Sequence, residues 1–600
     1  MDITKMSHER IESFIGDVRP LWIESAKKFD RYKIKWRCEG DAVILRRFSG
    51  SGHSTFDYGI LITFVKEGKS RIIADCDGEL LECLVTSRKR RDFASDSPNF
   101  YCGDFHSHTS GEHSHDLFME LGKSVITNYL NYIKDENLRD VAVISDHSDT
   151  TNLKMFFEGF KQYEQMKDEM GPLVYAGCEN EIMYTEQDRY GREHRRSGEL
   201  VTVNATSFCQ SNTYEEFLYA FKNSPYAIGI FAHPHIVGFS TAGVWDYRPR
   251  LNNSKALRDL IKYVEVLGNP NKQNMIHEYV YSEALDAGYR VSPLCSSDKH
   301  HTWDFTSYPG STFVMAPEKS REAITDALLN LRAYACESGN IKLTYKVNGL
   351  MAPADIPLTN KYHFEVNIDY FYDDPATHPI VCEVISNGGV AVKTIENESF
   401  EHFEFDIESD EARWFYLRFV DSNTRRTFSP PVFCGREVIP YVIDDLKPID
   451  KKLFKIEDVK FGTDASALID DNTFSDWTSK DTTCELLIDM GEERSVSGLG
   501  NYSVSLKAVA GMSNLGEVLA NAEAIFPLDY VISTSLDGKS FEVAAEGIFR
   551  TFAGEEIVRF AKRNARYVKL SVFSTTGKRL GREPYDKNPL KIAELSLFEE

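Results

Sequence analysis

Histidines and carboxylates recur in one stretch of this chain, mostly directly after short apolar runs. They occupy Asp104-Phe-His106-Ser-His108, Asp146-His147, Glu179, Glu199, His233-Pro-His235, Glu265 and Ser297-Asp298-Lys-His300. Neutral imidazoles and carboxylates are ligands that Mn, Fe and Zn accept, and a carboxylate can bridge neighbouring ions. A single histidine at a strand end is more often a satisfied polar group of the core. The whole ordered set nevertheless predicts a metal site.

The runs that carry these side chains alternate with helical patterns between residue 101 and about residue 337. Apolar runs occur at 141–145, 173–176, 200–203, 227–232, 264–267 and 291–294, and helical patterns include 117–133, 214–222 and 273–287. Strand–helix alternation of this length predicts a parallel sheet closed into a β/α barrel. The C-terminal ends of barrel strands converge on one mouth, so side chains distant in sequence would meet there.

The motifs GDFHSHT, VISDH, GCE, AHPH and SSDKH, in this order, resemble those of the PHP (polymerase and histidinol phosphatase) family. The resemblance covers residues 97–340 and implies a distorted (β/α)7-type barrel holding two or three divalent metal ions (Mn, Zn or Fe). The metal ligands that it implies are His106, His108, His147, Glu179, Glu199, His233, Asp298 and His300. Of these, His106, His108, Glu179, Asp298 and His300 are expected to act in catalysis.

Two ligand positions depart from the family pattern. A further ligand is expected in the GEHSHD segment, where Glu112, His113, His115 and Asp116 are all candidates; we retain His115 and Asp116. Glu199 stands where the family usually has a histidine, and His194 is a less natural substitute. The number of metal ions therefore stays open.

Basic residues beside the expected site could bind a phosphate. The loop 185–196 contains Arg195 and Arg196, whose guanidinium forks match phosphate oxygens, although a solvated basic hairpin is an equally good interpretation. His235 and Arg248 are further candidates for substrate contact. We expect a metal-dependent phosphoesterase for a small phosphorylated or glycan-linked substrate. The alternatives are hydrolysis of an amide, carbamate or carboxyl ester, and glycan binding by a protein with an inactive barrel.

Three further domains are predicted around the barrel. Residues 1–96 begin with a helix-like stretch and continue with strand-like runs, which predicts an α+β domain. Residues 341–441 alternate without helices and predict a β-sandwich, similar to the β domain that follows the barrel in PHP hydrolases of the carbaryl-hydrolase-like group. The stretch 442–453 is typical of a linker, and residues 454–600 again predict only strands.

Residues 454–600 resemble the discoidin-like (F5/8 type C) family, a β jelly roll. The motifs that carry this resemblance are ALIDDNTFSDW, LLIDMG, YVISTSLDGKSF, ARYVKL and IAELSLF. It implies carbohydrate as a candidate ligand. It also implies a structural calcium ion near the turn 470–472 and Glu594, because oxygen-rich turns suit that ion.

The composition limits the classes of partner. A chain of 600 residues is too long for one hydrophobic core, and a net charge of −23 opposes binding to nucleic acid or an anionic membrane. No apolar run reaches the roughly 18 residues of a membrane helix, and no signal peptide is visible. Eleven scattered cysteines without a C-x-x-C pair favour reduced thiols. We therefore expect a cytoplasmic protein without nucleic-acid or membrane partners.

Overall fold

A computed structural model describes most of the chain and divides it into two compact units. The described residues are 4–26, 34–47, 59–93, 98–108, 139–148, 153–168, 171–187, 193–205, 213–222, 224–234, 255–268, 274–298, 310–397, 400–436, 446–472, 475–502, 525–549, 555–575, 577–578 and 585–600. One unit comprises Met1–Ala232, Ser254–Pro270 and Gly288–Val438. The other comprises His233–Asn253, Asn271–Ala287 and Ile439–Glu600.

The N-terminal region forms two four-stranded sheets, β1-β3-β6-β5 and β2-β8-β7-β4. Its strands are β1 (Lys5–Met6), β2 (Arg10–Phe14), β3 (Val18–Glu24), β4 (Lys35–Glu39), β5 (Val43–Arg47), β6 (Gly59–Phe64), β7 (Gly68–Cys76) and β8 (Glu79–Arg88). The helix predicted at the start is wrong, because residues 4–26, 34–47 and 59–93 contain no helix. In β2, Arg10 and Glu12 are exposed whereas Ile11 and Ser13 are buried, and this period of two belongs to a strand.

The central region contains strands that alternate with helices along the chain. The elements are β9 (Asn99–Asp104), β10 (Val141–Ile144), α1 (Leu153–Met166), β11 (Leu173–Gln187), β12 (Glu193–Val203), α2 (Tyr214–Phe221), β13 (Ile228–Phe231), α3 (Lys255–Leu260), β14 (Ile261–Leu267), α4 (Asn274–Asp286), β15 (Ser292–Cys295), β16 (Ser311–Ala316), α5 (Arg321–Leu329) and β17 (Ala333–Cys336). Side chains from most of these strands, Val143, Tyr175 and Ile230 among them, form one buried core cluster. The predicted helix at 117–133 lies outside the described residues.

The central sheet is mixed, in contrast to the all-parallel barrel expected from the sequence. Its order is β15-β14-β13-β12-β11-β10-β9-β16-β17. β9, β10 and β11 are parallel neighbours, as are β13, β14 and β15, but β12 is antiparallel to both of its neighbours. β16 is antiparallel to β9 and to β17. The short connection from Gln187 to Glu193 explains part of this, because parallel neighbours need a crossover of a dozen or more residues.

The sheet curls so that β15, at the end of the ladder order, returns beside β16 and β17. Contact there runs through side chains. The Thr312 hydroxyl accepts the Cys295 N–H at 2.9 Å and donates to the Cys295 carbonyl at 2.8 Å. The Ser292 hydroxyl donates to the Ala333 carbonyl at 2.8 Å. Side-chain hydroxyls thus join β15 to β16 and β17, in place of a backbone ladder.

The third region continues the central sheet, because β17 pairs with β26. Its strands are β18 (Ile341–Val347), β19 (Leu350–Met351), β20 (Ala354–Asp355), β21 (Lys361–Tyr370), β22 (Pro379–Ser386), β23 (Val390–Glu396), β24 (His402–Glu408), β25 (Trp414–Asp421), β26 (Arg426–Phe428) and β27 (Val432–Phe433). A separate sheet, β19-β18-β21-β24, contributes Leu343 and Phe364 to one core cluster with Phe415 of β25. The first strand of this region follows β17 almost at once.

The C-terminal region is built from strands around its own core, which includes Leu486, Ile532 and Leu597. The strands are β28 (Lys447–Pro448), β29 (Lys455–Asp458), β30 (Thr463–Asp464), β31 (Trp477–Thr478), β32 (Cys484–Tyr502), β33 (Asp529–Ser535), β34 (Glu542–Ile548), β35 (Glu555–Val572), β36 (Lys591–Ile592) and β37 (Glu594–Glu599). The end of the predicted linker belongs to this fold, because β28 pairs with β37. No helix in the described part of the chain is long and apolar enough to span a membrane.

Candidate metal centre

Three strand ends and one strand interior of the central sheet bring histidines and carboxylates to one place. His106 and His108 follow β9, His147 follows β10, Glu179 lies within β11, and Asp298 follows β15. An isolated parallel bridge joins His147 to Glu179, and the Asp298 N–H donates to the His106 carbonyl at 2.9 Å. The neighbouring strands β9, β10 and β11 therefore place four of these residues side by side, and the hydrogen bond to His106 brings Asp298 to them.

The five side chains point their donor atoms at one another. Glu179 Oε2 lies 3.3 Å from His106 Nε2, 3.4 Å from His108 Nε2 and 3.1 Å from His147 Nδ1. Asp298 Oδ1 lies 3.3 Å from His106 Nε2 and 3.2 Å from His108 Nε2. Glu179 belongs to two groups of potential ligands, one with His106 and Asp298 and one with His108 and His147, and imidazoles with carboxylates suit Mn, Fe or Zn. The residues present therefore fit a divalent metal ion.

Burial acts strongly on the two histidines of the His-x-His motif. Desolvation lowers the pKa of His108 to about 3, and the hydrogen bond to Asp298 opposes this shift only in part. Desolvation also lowers the pKa of His106, but the carboxylates of Glu179 and Glu265 outweigh it and raise the pKa well above its usual value. The neutral imidazole of His108 presents a lone pair, which is the form that binds a metal.

Glu265 supports His106 from behind. Its Oε1 accepts the His106 Nδ1–H at 2.9 Å, and both side chains are buried. This hydrogen bond fixes the ring orientation and leaves Nε2 facing Glu179 and Asp298. The sequence singled out Glu265 as a strand-end carboxylate, and the structure places it beside a predicted ligand.

Asp104 ties the segment of Asp298 to the end of β9, a role that the sequence did not reveal. Its Oδ2 accepts the Ser297 hydroxyl at 2.5 Å, and its Oδ1 accepts the Ser297 N–H at 3.1 Å. Asp298 itself has a φ of 45°, in the left-handed region that few L-residues adopt. The two hydrogen bonds from Ser297 to Asp104 hold the backbone next to Asp298 in this conformation.

Gly177 lets the strand that carries Glu179 pack closely. A Cβ there would lie 2.7 Å from the Thr202 carbonyl oxygen on one side and 2.7 Å from Val143 Cγ1 on the other. Any larger residue would push β11 away from β10 or β12, and Glu179 would move with it. The glycine of the GCE motif is therefore explained by packing.

For the remaining predicted site residues, the structure gives a position on the chain or does not describe them. Glu199 is buried on β12, and the register pairs Glu181 with Glu199 and Glu179 with Val201, so Glu199 shares the face of Glu179 one pair further along. His233 follows β13, has a φ of 21° and is the first residue of the second unit. Arg195 and Arg196 lie on β12. Five predicted site residues lie outside the described residues: His115, Asp116, His235, Arg248 and His300.

Comparisons with known proteins show limited similarity. No protein-family model matches the chain, and no curated protein does. Among solved structures, the Clostridium perfringens module CpGH89CBM32-5, in complex with GalNAc-β-1,3-galactose, is 16% identical with a TM-score of 0.20, covering 26% of this chain and 100% of that one. The family 32 module of C. perfringens NanJ, in complex with galactose, is 19% identical with a TM-score of 0.20, covering 26% and 99%. A fragment of a putative chitobiase from Bacteroides thetaiotaomicron is 16% identical with a TM-score of 0.21, covering 27% and 98%. Likenesses of this strength do not by themselves establish a shared fold or ligand.

Proposed function

We propose that the central region binds one or more divalent metal ions and that the chain is a metal-dependent hydrolase. The observation that carries the proposal is the convergence of five side chains from the central sheet: His106, His108, His147, Glu179 and Asp298. Burying carboxylates costs free energy unless a cation or hydrogen bonds compensate them. Here the nearest compensating groups are imidazoles, which are also metal ligands.

The residues of the chain would hold and orient the reacting groups. A bound divalent ion lowers the pKa of a coordinated water and polarises the group under attack. Glu265 keeps Nε2 of His106 directed into the cluster, and Asp104 keeps the Asp298 segment beside it. Asp298 is the most exposed of the five ligand candidates, with 28% of its side chain accessible, so substrate would approach from its side. The PHP-like order of motifs supports the same proposal.

A phosphoester is the substrate class that we favour, because the order of motifs resembles that of the PHP family, many members of which hydrolyse phosphoesters. Arg195 and Arg196 lie on β12 and pair with Thr185 and Tyr184, residues of β11 that follow Glu179 along the chain. Hydrolysis of an amide, carbamate or carboxyl ester would use the same cluster. The test is elemental analysis of the purified full chain, followed by assays on aryl phosphomonoesters, phosphodiesters and carboxyl esters with and without chelator. Retention of a divalent ion and chelator-sensitive turnover are expected. A chain that takes up none of manganese, zinc and iron would contradict the proposal.

Carbohydrate binding by residues 454–600 is the second candidate, and it is compatible with the first. It is supported by the discoidin-like motifs and by Phe573, an aromatic side chain at the end of β35 that is 54% exposed. Exposed aromatic rings provide flat apolar surface for ligands. Binding of the full chain to immobilised galactose- and GalNAc-containing glycans would test this candidate, and Phe573→Ala should weaken it. If the metal cluster proves inactive, glycan binding remains as the function of the protein.

A further inference from the structure

Three segments of the C-terminal region meet at one buried carboxylate. Glu594 begins β37, and only 6% of its side chain is exposed. Its Oε1 accepts the backbone N–H of Asp471 at 3.3 Å and contacts the ammonium of Lys451. The Lys451 Nζ also lies 2.9 Å from Asp471 Oδ1. One ammonium therefore links the beginning of this region, a turn and its last strand.

The turn that presents Asp471 is shaped by its neighbours. Asp471 has a φ of 56°, in the left-handed region. The Asn472 N–H donates to Asp470 Oδ1 at 2.9 Å, and the Ser475 hydroxyl donates to the Asn472 carbonyl at 3.0 Å. The Asp470 carboxylate is thus engaged within the turn, and the Asp471 carboxylate contacts Lys451.

The calcium ion that the discoidin-like resemblance implied at this turn does not fit the groups found there. Calcium takes about six to eight oxygen ligands at roughly 2.3–2.6 Å. Between the carboxylates of Glu594 and Asp471 the chain places the Lys451 ammonium, which has three N–H donors and no lone pair to offer a metal. A calcium ion beside it would meet repulsion between like charges.

We propose that Lys451 is the built-in cation of this site and that residues 446–600 keep their fold without calcium. The lysine lies in the short 3-10 helix Lys451–Leu453, directly after β28, and only 10% of its side chain is exposed. Because it is part of the chain, this cation needs no binding equilibrium and is not removed by a chelator. The segment expected to be a linker would then supply the charge that joins β37 to the turn.

The electrostatics of Glu594 show that the Lys451 ammonium compensates the buried carboxylate only in part. Burial raises the pKa of Glu594 to about 7, although the Lys451 ammonium opposes the rise. Its Oε2 is buried and has no hydrogen-bond partner among the described residues. Removing the ammonium would leave this carboxyl with less compensation than it has now. Loss of one partner from a buried ion pair is strongly destabilising.

The test is amide hydrogen exchange of β37 in the full chain at a pH of about 8, in calcium and in EDTA. Lys451→Met keeps the length of the side chain and removes its charge, and Lys451→Arg keeps the charge. Lys452→Met is the matched control, because the Lys452 side chain is 85% exposed and pairs with Asp450 instead.

We expect the parent and Lys452→Met to exchange at the same rate in calcium and in EDTA. Lys451→Met should exchange roughly tenfold faster, since about 1.4 kcal/mol changes an opening equilibrium tenfold, and Lys451→Arg should stay closer to the parent. Faster exchange of the parent in EDTA than in calcium would overturn the proposal without any variant. So would equal rates for Lys451→Met and Lys452→Met.

Discussion

Two clusters in this chain, each built around a buried glutamate (Glu179 and Glu594), are compensated in different ways. In the central region, Glu179 and Asp298 face three imidazole nitrogens at 3.1–3.4 Å. In the C-terminal region, Glu594 and Asp471 face the ammonium of Lys451. Imidazole can give up its proton and bind a metal, whereas an ammonium only donates hydrogen bonds.

The difference shows how the type of basic residue decides what a carboxylate cluster can do. The central cluster can exchange a proton for a metal ion, because its basic groups are also ligands. The cation of the C-terminal cluster is the Lys451 ammonium, which is part of the chain and cannot be exchanged for a metal ion. The clusters should therefore respond in opposite ways to metal ions and chelators. Variants at each cluster can break or sharpen this contrast.

The largest effect is expected from His106→Ala and from Asp298→Ala. Each removes a donor atom from the centre of the cluster, so the affinity for the metal should fall by more than about hundredfold. Metal content and turnover should be lost with it. Competition with a chelator and elemental analysis measure the loss. His363→Ala is the control, because His363 also pairs with a carboxylate, Asp406 at 2.9 Å, but is exposed. Full metal content in both site variants would refute the metal centre.

A smaller effect is expected from Glu265→Gln. The amide can still accept the His106 Nδ1–H, but it lacks the negative charge that raises the basicity of the ring. Changes of this kind cost about 10- to 100-fold in metal affinity. The measurement is chelator competition on the full chain, and the unfolding midpoint shows whether the fold is kept. An affinity within about twofold of the parent would make Glu265 a packing residue only.

The sequence revealed the residues of the central site better than the sheet that carries them. Ordered His and carboxylate motifs directed attention to His106, His147, Glu179 and Asp298, since ligand chemistry restricts residue type strongly. The direction of β12 and β16 was not visible, because apolar runs look alike in parallel and antiparallel strands. Asp104 was named with the other side chains of the first motif, but its role was not predicted, because that role depends on a hydrogen bond with Ser297, far away in the chain.

At the start of the chain and at the start of its C-terminal region the sequence was misleading in different ways. The start was expected to be helical, yet Arg10–Phe14 is a strand whose pattern of buried residues has a period of two. The stretch 442–453 was expected to be a linker because it is rich in Asp, Lys and Pro. Its end instead carries β28 and Lys451, and the value of that lysine depends on Glu594, about 140 positions away. Pairings over such distances leave no local pattern.

The smallest effect that would sharpen the comparison is a change in pH dependence from Glu594→Gln. The groups facing Glu594 are the Lys451 ammonium and the Asp471 carboxylate. The pKa of Glu594 in the folded chain, about 7, is above its ordinary value, so folding favours the protonated form. This contribution to stability is complete below about pH 4.5 and is lost as the pH rises through about 7.

Exchange of β37, corrected for the intrinsic rate, should therefore quicken several-fold between about pH 5 and pH 8 in the parent. Glu594→Gln should remove most of that slope, whereas Glu599→Gln, at the other end of the same strand, should keep it. An unchanged slope in Glu594→Gln would mean that other groups govern the pH response of this strand and that the lysine compensates Glu594 fully.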